Sequence, residues 1–529
     1  MVLLTTALVL GLAAVVGVVV GPAGGTMPTA VSDWFSSRLG ASADREADAS
    51  ARTEVPVPAE PPTEPPALVC GSSALDGPST PPQGAVVVRP AQDLGALTHR
   101  HPPGTTFWLA PGEYHLGDGE YSQVRPKPGN RYVGAPGAVL DGRQVNHYAF
   151  GGHASGVHVE YLTVQNFGGP GDNMNEGVVN HDAAPGWVMS HLTVRDSAGA
   201  GVFLGDRNVL ESSCLRDNGQ YGFSAYSPSG VQDVTLRDNE VTGNNTDDWE
   251  RRRPGCGCTG GGKFWETRDA RIIGNYVHDN HGAGIWADTN NAGFLVAGNY
   301  IARNDAEGLF YEASYNLDVV ANTFERNGLV KGPQNQGFPT PAVYLSESGS
   351  DERVDTSYND TLEVANNRFI DNWGGVVAWE NADRFAGSPA NTSTGATTMV
   401  NPRATVQRCS TPDLIGTEPY IDDCRWKTQH VKVHDNVFDF DPGKVGDACT
   451  EQNTCGFSGV FSNYGTFPSW SPFQGTVVEK DITLHQDNTW SDNTYTGPWR
   501  FMVMEAGNVV SWDTWRGGPY NQDEGSTLN

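Results

Sequence analysis

The sequence predicts an all-β solenoid, a parallel β-helix with three short strands per coil, and three observations carry that prediction. The first is a repeat within residues 263–328. Its rows read Gly261-Gly-Lys-Phe-Trp-Glu266 then Ala270-Arg-Ile-Ile-Gly-Asn-Tyr-Val-His-Asp-Asn280; Gly284-Ile-Trp-Ala-Asp288 then Phe294-Leu-Val-Ala-Gly-Asn-Tyr-Ile-Ala-Arg-Asn304; and Gly308-Leu-Phe-Tyr-Glu312 then Leu317-Asp-Val-Val-Ala-Asn-Thr-Phe-Glu-Arg-Asn327. The second is a fixed period: Asn275, Asn299 and Asn322 recur at 24 and 23 residues. A period in the twenties marks a solenoid, whose units bury their apolar faces only against one another. The third is the content of each row, three short alternating apolar runs broken by Gly and Asn. The Leu ladder of leucine-rich repeats and the helical spacing of ankyrin or tetratricopeptide units are both missing. Asn tolerates left-handed backbone and can hydrogen-bond its own copy one coil away.

Taken in order, the chain begins with an apolar run over residues 2–20, with no Lys or Arg before Arg38. Its length suits either a signal peptide or a single membrane anchor, placing residues 1–25 in that role. Residues 26–84 are rich in Pro, Ala and Glu, as in Val55-Pro-Val-Pro-Ala-Glu-Pro-Pro, and read as an extended linker. From residue 85 short strands alternate with Pro-Gly turns, and the solenoid is expected to run over 85–529. Insertions at 246–260, 331–340 and 382–427 interrupt it, and long loops on a rigid scaffold often carry function. The C-terminal Trp512-Asp-Thr-Trp-Arg would cap the last coil.

Composition narrows the function. Sixty-four glycines and 18% charged residues suit a turn-rich β protein, and 10% aromatic residues argue against disorder. A net charge of −28 excludes nucleic acid as an expected partner, because phosphate binding needs a basic face. Eight cysteines point to an oxidising compartment. Cys409/Cys424 and Cys449/Cys455 are candidate local disulfides, and Cys214 could reach Cys256 or Cys258. The protein is therefore expected to be secreted or held at a bacterial cell surface, as a monomer.

Chemistry is expected where the Gly-Ile-Trp-Ala-Asp strands end. Glu266, Asp288 and Glu312 hold comparable positions, with Glu347 and Glu380 one residue later. Strand alternation turns Trp286 and Asp288 outward, as it does Phe310 and Glu312. Trp265, Tyr344 and Trp379 extend the aromatic row, giving a face of acids beside rings. Rings stack on sugars, and carboxylates about 5 Å apart, close to the rung spacing of about 4.8 Å, form a retaining glycosidase pair. The candidate catalytic residues are thus Glu266, Asp288, Glu312, Glu347, Lys263 and His281, and the candidate sugar-binding residues Trp265, Trp286, Phe310, Tyr344 and Trp379. Lys263 is the alternative proton abstractor of a lyase, His281 an alternative acid or base. Lys263 and Glu266 lie three apart, so a regular strand cannot turn both outward; a bulge intervenes or one is structural. No Gly-x-Ser-x-Gly, P-loop or His-Glu-x-x-His motif occurs. No metal ligand set stands out, although clustered acids would suit Ca²⁺.

The segments Gly104-Thr-Thr-Phe-Trp-Leu-Ala-Pro-Gly-Glu-Tyr114 and Asn130-Arg-Tyr-Val-Gly-Ala-Pro-Gly-Ala-Val-Leu-Asp-Gly142 resemble the opening of pectin-lyase-like right-handed parallel β-helix proteins. The Gly-Gly-Lys-Phe-Trp, Gly-Ile-Trp-x-Asp and Gly-Leu-Phe-x-Glu rows resemble bacterial right-handed β-helix repeat proteins. The resemblance implies a right-handed coil, and the face of acids beside rings suits a polysaccharide partner. The leading expectation is hydrolysis of glycosidic bonds by paired carboxylates. The alternatives are a Ca²⁺-dependent lyase with Lys263 as base, and a non-catalytic glycan-binding or adhesion solenoid.

Overall fold

The computed structural model describes residues 57–169, 177–254, 256–257, 260–335, 339–354, 356–358, 360–380, 428–450, 452–453, 455–462, 485–503 and 509–529, with 405, 408, 411–415 and 417–423 between them. The leader, Cys258, the Cys409/Cys424 pair and most of the 382–427 insertion lie outside the described residues. No helix among the described residues is long and apolar enough to cross a membrane.

The chain is a right-handed parallel β-helix. Three stacked sheets of 15, 13 and 10 strands form its sides, and successive coils pair in parallel. In the 10-stranded sheet the strands Gly262–Trp265, Ile285–Asp288, Leu309–Glu312 and Val343–Ser346 lie side by side in strict register. The inward residues of these strands, such as Phe264, Ala287, Tyr311 and Leu345, are fully buried. Each coil has too little apolar surface to hold alone and closes its core against its neighbours. Late in the solenoid Phe324, Phe369, Phe438 and Tyr495 stack in sequence, with centroids 5.1, 4.5 and 4.7 Å apart.

The repeated asparagines do what their spacing predicts. The Asn275 side-chain amide donates to Asn299 Oδ1 at 3.0 Å, and Asn299 donates to Asn322 at 2.9 Å. That ladder runs from Asn239 to Asn493. A second, Asn218–Asn244–Asn280–Asn304–Asn327–Asn372, follows the other corner. Each Oδ1 also accepts a backbone N–H from the coil before, as Asn299 does from Asn275 N at 2.8 Å, which satisfies donors that the corner would otherwise orphan. The ladder also explains the glycine that opens each row. A Cβ on Gly284 would meet Gly308 O at 2.7 Å and Asn304 Nδ2 at 2.8 Å.

Both ends are closed. The helix Leu94–Arg100 covers the first coil, with Asp93 capping Ala96 N at 2.9 Å. At the far end the helix Trp512–Arg516 buries Trp515, whose indole donates to Asp523 at 2.7 Å. Of the segment read as a linker, residues 57–84 are extended and laid along the solenoid. Ala59 O accepts from Asn366, Pro62 O from Thr323, and Pro78 O from the Trp108 indole. Midway, Val69 N and Cys70 N donate to Glu240 at 2.7 and 2.8 Å, and a disulfide joins Cys70 to Cys214. The expected pairing of Cys214 with Cys256 or Cys258 is therefore corrected: its partner is 144 residues upstream, out of reach of any local pattern. Cys449–Cys455 is bonded as expected. Two disulfides fit an extracellular protein.

Candidate functional site

The outer face of the 10-stranded sheet carries the predicted residues, with a one-residue correction. Trp265, Asp288, Glu312 and Ser346 share one register position. Glu266 and Glu347 fall one residue later, beside Thr289 and Ala313, and all four adopt left-handed backbone with φ between 43° and 48°. That bend ends the strand and turns the chain into the next side. It also resolves the spacing of Lys263 and Glu266: Lys263 points outward from the strand, whereas Glu266 has already left it. Glu347 is completely buried and takes a hydrogen bond from the Ser346 hydroxyl. Thus Asp288 and Glu312 are the acids in register on adjacent coils.

Their environments differ. Lys263 Nζ lies 2.9 Å from Asp288 Oδ2 and donates to Gly257 O at 2.9 Å, and it sits 4.0 Å above the Trp286 ring. Thr289 donates to the other Asp288 oxygen at 2.9 Å. Lys263 is 7% exposed and Asp288 2%. The insertion at 246–260 supplies Gly257 and so roofs this end of the face. The Lys263 ammonium is buried and held by both Asp288 and Gly257.

Glu312, 4% exposed, accepts from Trp286 Nε1 at 3.0 Å. Trp286 is in register with Phe310, two residues before Glu312 on the adjacent coil. Glu307 is half-buried in the turn before Gly308. Crowding by the protein and the negative charge of Glu312 push its carboxyl up to about 7. Sequence reasoning missed Glu307. The signal was present: the coils before it carry Gly260 and Ala283 at that place, which makes an acid conspicuous. The 331–340 insertion begins beside the same turn, with Lys331 N donating to Asp305 O at 2.9 Å.

The aromatic column exists, but its rings face one another. Trp286 stacks on Phe310 at 5.0 Å, Phe310 on Tyr344 at 4.4 Å, and Tyr344 on Trp379 at 5.9 Å. Lys263 takes the remaining face of Trp286. Trp286 and Tyr344 are buried, and Phe310 and Trp379 are half-buried. Trp265 and Trp379 are different: by register both stand in the acid column, Trp379 beside Ser346 rather than beside Tyr344 as expected. Trp265 is half-buried, with Tyr226 in the coil before it. His281 is set apart in a corner turn, largely exposed, 3.3 Å from Asp305 Oδ2. That bond, with the charges of Asp305, Asp248 and Asp217, raises its pKa against a smaller effect of burial.

Residues 177–356 match the family described as right handed beta helix region. Three solved structures show the similarity. The mannuronan C-5 epimerase AlgE6 A-module of Azotobacter vinelandii is 16% identical with a TM-score of 0.38, covering 55% of this chain and 87% of that one. The catalytic unit of the GH87 α-1,3-glucanase from Streptomyces thermodiastaticus strain HF3-3 is 13% identical with a TM-score of 0.48, covering 85% and 70%. The alginate lyase from Paenibacillus sp. str. FPU-7 is 11% identical with a TM-score of 0.32, covering 55% and 87%. No curated protein matches the chain.

Proposed function

We propose that this protein is an extracellular carbohydrate-active β-helix that hydrolyses glycosidic bonds with a pair of carboxylates, Glu307 as acid and Glu312 as its ionised partner. The observation that carries the proposal is that Glu307 lies near enough to Glu312 for the Glu312 charge to act on it, in a different environment. Glu307 keeps its proton up to about pH 7 beside Glu312, which the Trp286 indole holds. Glycoside hydrolysis needs one carboxyl that gives a proton to the leaving oxygen. It needs a second, charged one that activates water or attacks the anomeric carbon. Glu307 is part-exposed, and Glu312 is buried and held by the Trp286 indole. Asp288, neutralised by Lys263, holds the geometry rather than reacting.

A second reading is a non-catalytic glycan-binding solenoid, favoured by the tie between Asp288 and Lys263 and by the mutual stacking of the ring column. The full chain incubated with neutral and acidic polysaccharides separates the two. New reducing ends, abolished by Glu307→Gln and by Glu312→Gln, support hydrolysis. Binding without reducing ends leaves the solenoid as a binder. Ultraviolet absorbance from an unsaturated product, sensitive to chelator, would instead return Lys263 and Ca²⁺ to the argument.

A further inference from the structure

The stacked column raises a question that the proposed reaction leaves open: where a sugar ring finds an aromatic face. Trp286, Phe310 and Tyr344 are covered on both sides by neighbours in the column or by Lys263. On the same outer face Lys263 Nζ also approaches Trp265, 5.6 Å from its ring centroid, but among the described residues the ring that meets Trp265 is Tyr226, edge-on rather than stacked. Tyr226 follows the Phe223–Ala225 strand and Trp265 ends the next, one coil on, by the register that pairs Ala225 with Phe264. Their rings meet at 76° with centroids 6.4 Å apart, an L-shaped corner with one ring as floor and the other as wall. Tyr226 is 39% exposed, unusual for a large ring in this chain. Glu266 lies close enough for its charge to act on the Tyr226 phenol, giving the corner an acceptor for sugar hydroxyls. Trp265 is in register with Asp288 and thus two coils from Glu312, about 10 Å along the helix axis.

We infer that Tyr226 and Trp265, with Glu266, form a stacking subsite for an uncharged pyranose, which positions a neutral glycan along the helix axis so that its next residues reach Glu307 and Glu312. The inference rests on the proposed site for its direction, but the subsite itself is a binding claim. Neutrality follows from charge. Glu266 stands at the corner, and the Lys263 ammonium beside it is occupied by Asp288 and Gly257. A uronate chain would bring its carboxylates against Glu266, with this ammonium already engaged. The apolar face of a pyranose meets no such opposition on an indole.

The test uses the full chain carrying Glu307→Gln, which stops turnover, titrated by calorimetry with hexasaccharides of cellulose, laminarin and amylose, and of polygalacturonate as the charged counterpart. Expected is binding of at least one neutral hexasaccharide. Trp265→Ala and Tyr226→Ala should each weaken it about tenfold, the loss of one ring face of apolar contact. Trp265→Phe should restore most of the affinity, which a merely misfolded corner would not. In the wild-type background, Trp265→Ala should raise KM with kcat little changed. Undiminished binding by the Tyr226→Ala/Trp265→Ala chain overturns the subsite, and so does binding of polygalacturonate alone or of none of the four. Binding that depends on Trp265 in a chain that cleaves nothing overturns the hydrolysis and leaves the subsite standing. Cleavage indifferent to both rings does the reverse.

Discussion

Replacing Lys263 by Met tests whether the lysine organises the face. Its ammonium lies 2.9 Å from Asp288 Oδ2 and 4.0 Å above Trp286, with the partners 7% and 2% exposed. On the surface such a pair contributes about 0–1 kcal/mol. Here neither group can recover its hydration when the other is lost. Met fills the space, so the main cost is the Asp288 carboxylate left buried beside the neutral Thr289 hydroxyl, about 3–5 kcal/mol. Solenoid stability is shared between neighbouring coils, so the loss falls on the coils around Ile285–Asp288. At roughly 2–4 °C per kcal/mol for a cooperative unit of 150–250 residues, the melting transition should drop by about 6–20 °C. Near-ultraviolet circular dichroism follows it through Trp265 and Trp286, and amide exchange over 262–288 locates it. Lys263→Met/Asp288→Leu should recover most of the loss, because removing both charges leaves nothing buried and unpaired. Unchanged melting of Lys263→Met, or a double variant no better than the single, would refute the reasoning.

Glu307 should govern the alkaline limb of activity. With its folded pKa raised from 4.5 to about 7, the acid form needed for proton donation disappears as pH rises through 7. The same shift makes its contribution to stability complete below about pH 4.5 and lost as pH climbs to about 7, so Glu307→Gln should flatten the stability profile there; a profile that keeps its slope sinks the assignment. Cys70→Ser or Cys214→Ser opens a link spanning 144 residues, worth about 5 kcal/mol by chain entropy. Limited proteolysis should then cut within 57–84 before the coils unfold, and a segment that stays protected would show that Glu240 and Thr323 hold it unaided. Asn299→Ala removes the acceptor of Asn275 N and the donor to Ile272 O and Asn322. Each orphaned buried group costs about 1–3 kcal/mol, so melting should fall more than for Asn366→Ala on the exposed side. Equal melting of the two would contradict the ladder's role.

The coil was legible because its cause is local and repeated. An asparagine that must meet its own copy recurs at the period of the coil, and a glycine that must clear the ladder recurs beside it, so both stand in the sequence as spacing. The site was half legible. Asp288 and Glu312 follow from alternation, and the spacing puts Glu347 one position on, but Glu266 belongs there too, because the strand ends in a left-handed bend that no residue type announces: Glu, Thr, Ala and Glu occupy it in turn. The partner of Lys263 depends on where the 246–260 insertion lays Gly257, which is a tertiary fact. Cys70 was hidden for a similar reason. Pro-rich composition reads as a spacer, and what holds this stretch is a cysteine and a carboxylate, Glu240, far along the chain.

Stacking coils about 4.8 Å apart turns any repeated acid into a column of like charges, and repulsion in such a column grows as the face is covered. This chain thins the column. Trp265 and Ser346 flank the two acids in register, Lys263 neutralises Asp288, and Glu307 retains its proton beside Glu312. Near neutral pH Asp288, Glu307 and Glu312 therefore do not act as three like charges. In the proposed hydrolysis positive charge would develop at the anomeric carbon, and a carboxylate in a partly dehydrated recess would stabilise it more than a hydrated cluster. In that reading Lys263 would affect reactivity without touching substrate. Freed from it, Asp288 would add a second negative charge one coil from Glu312 and draw a proton onto one of the two.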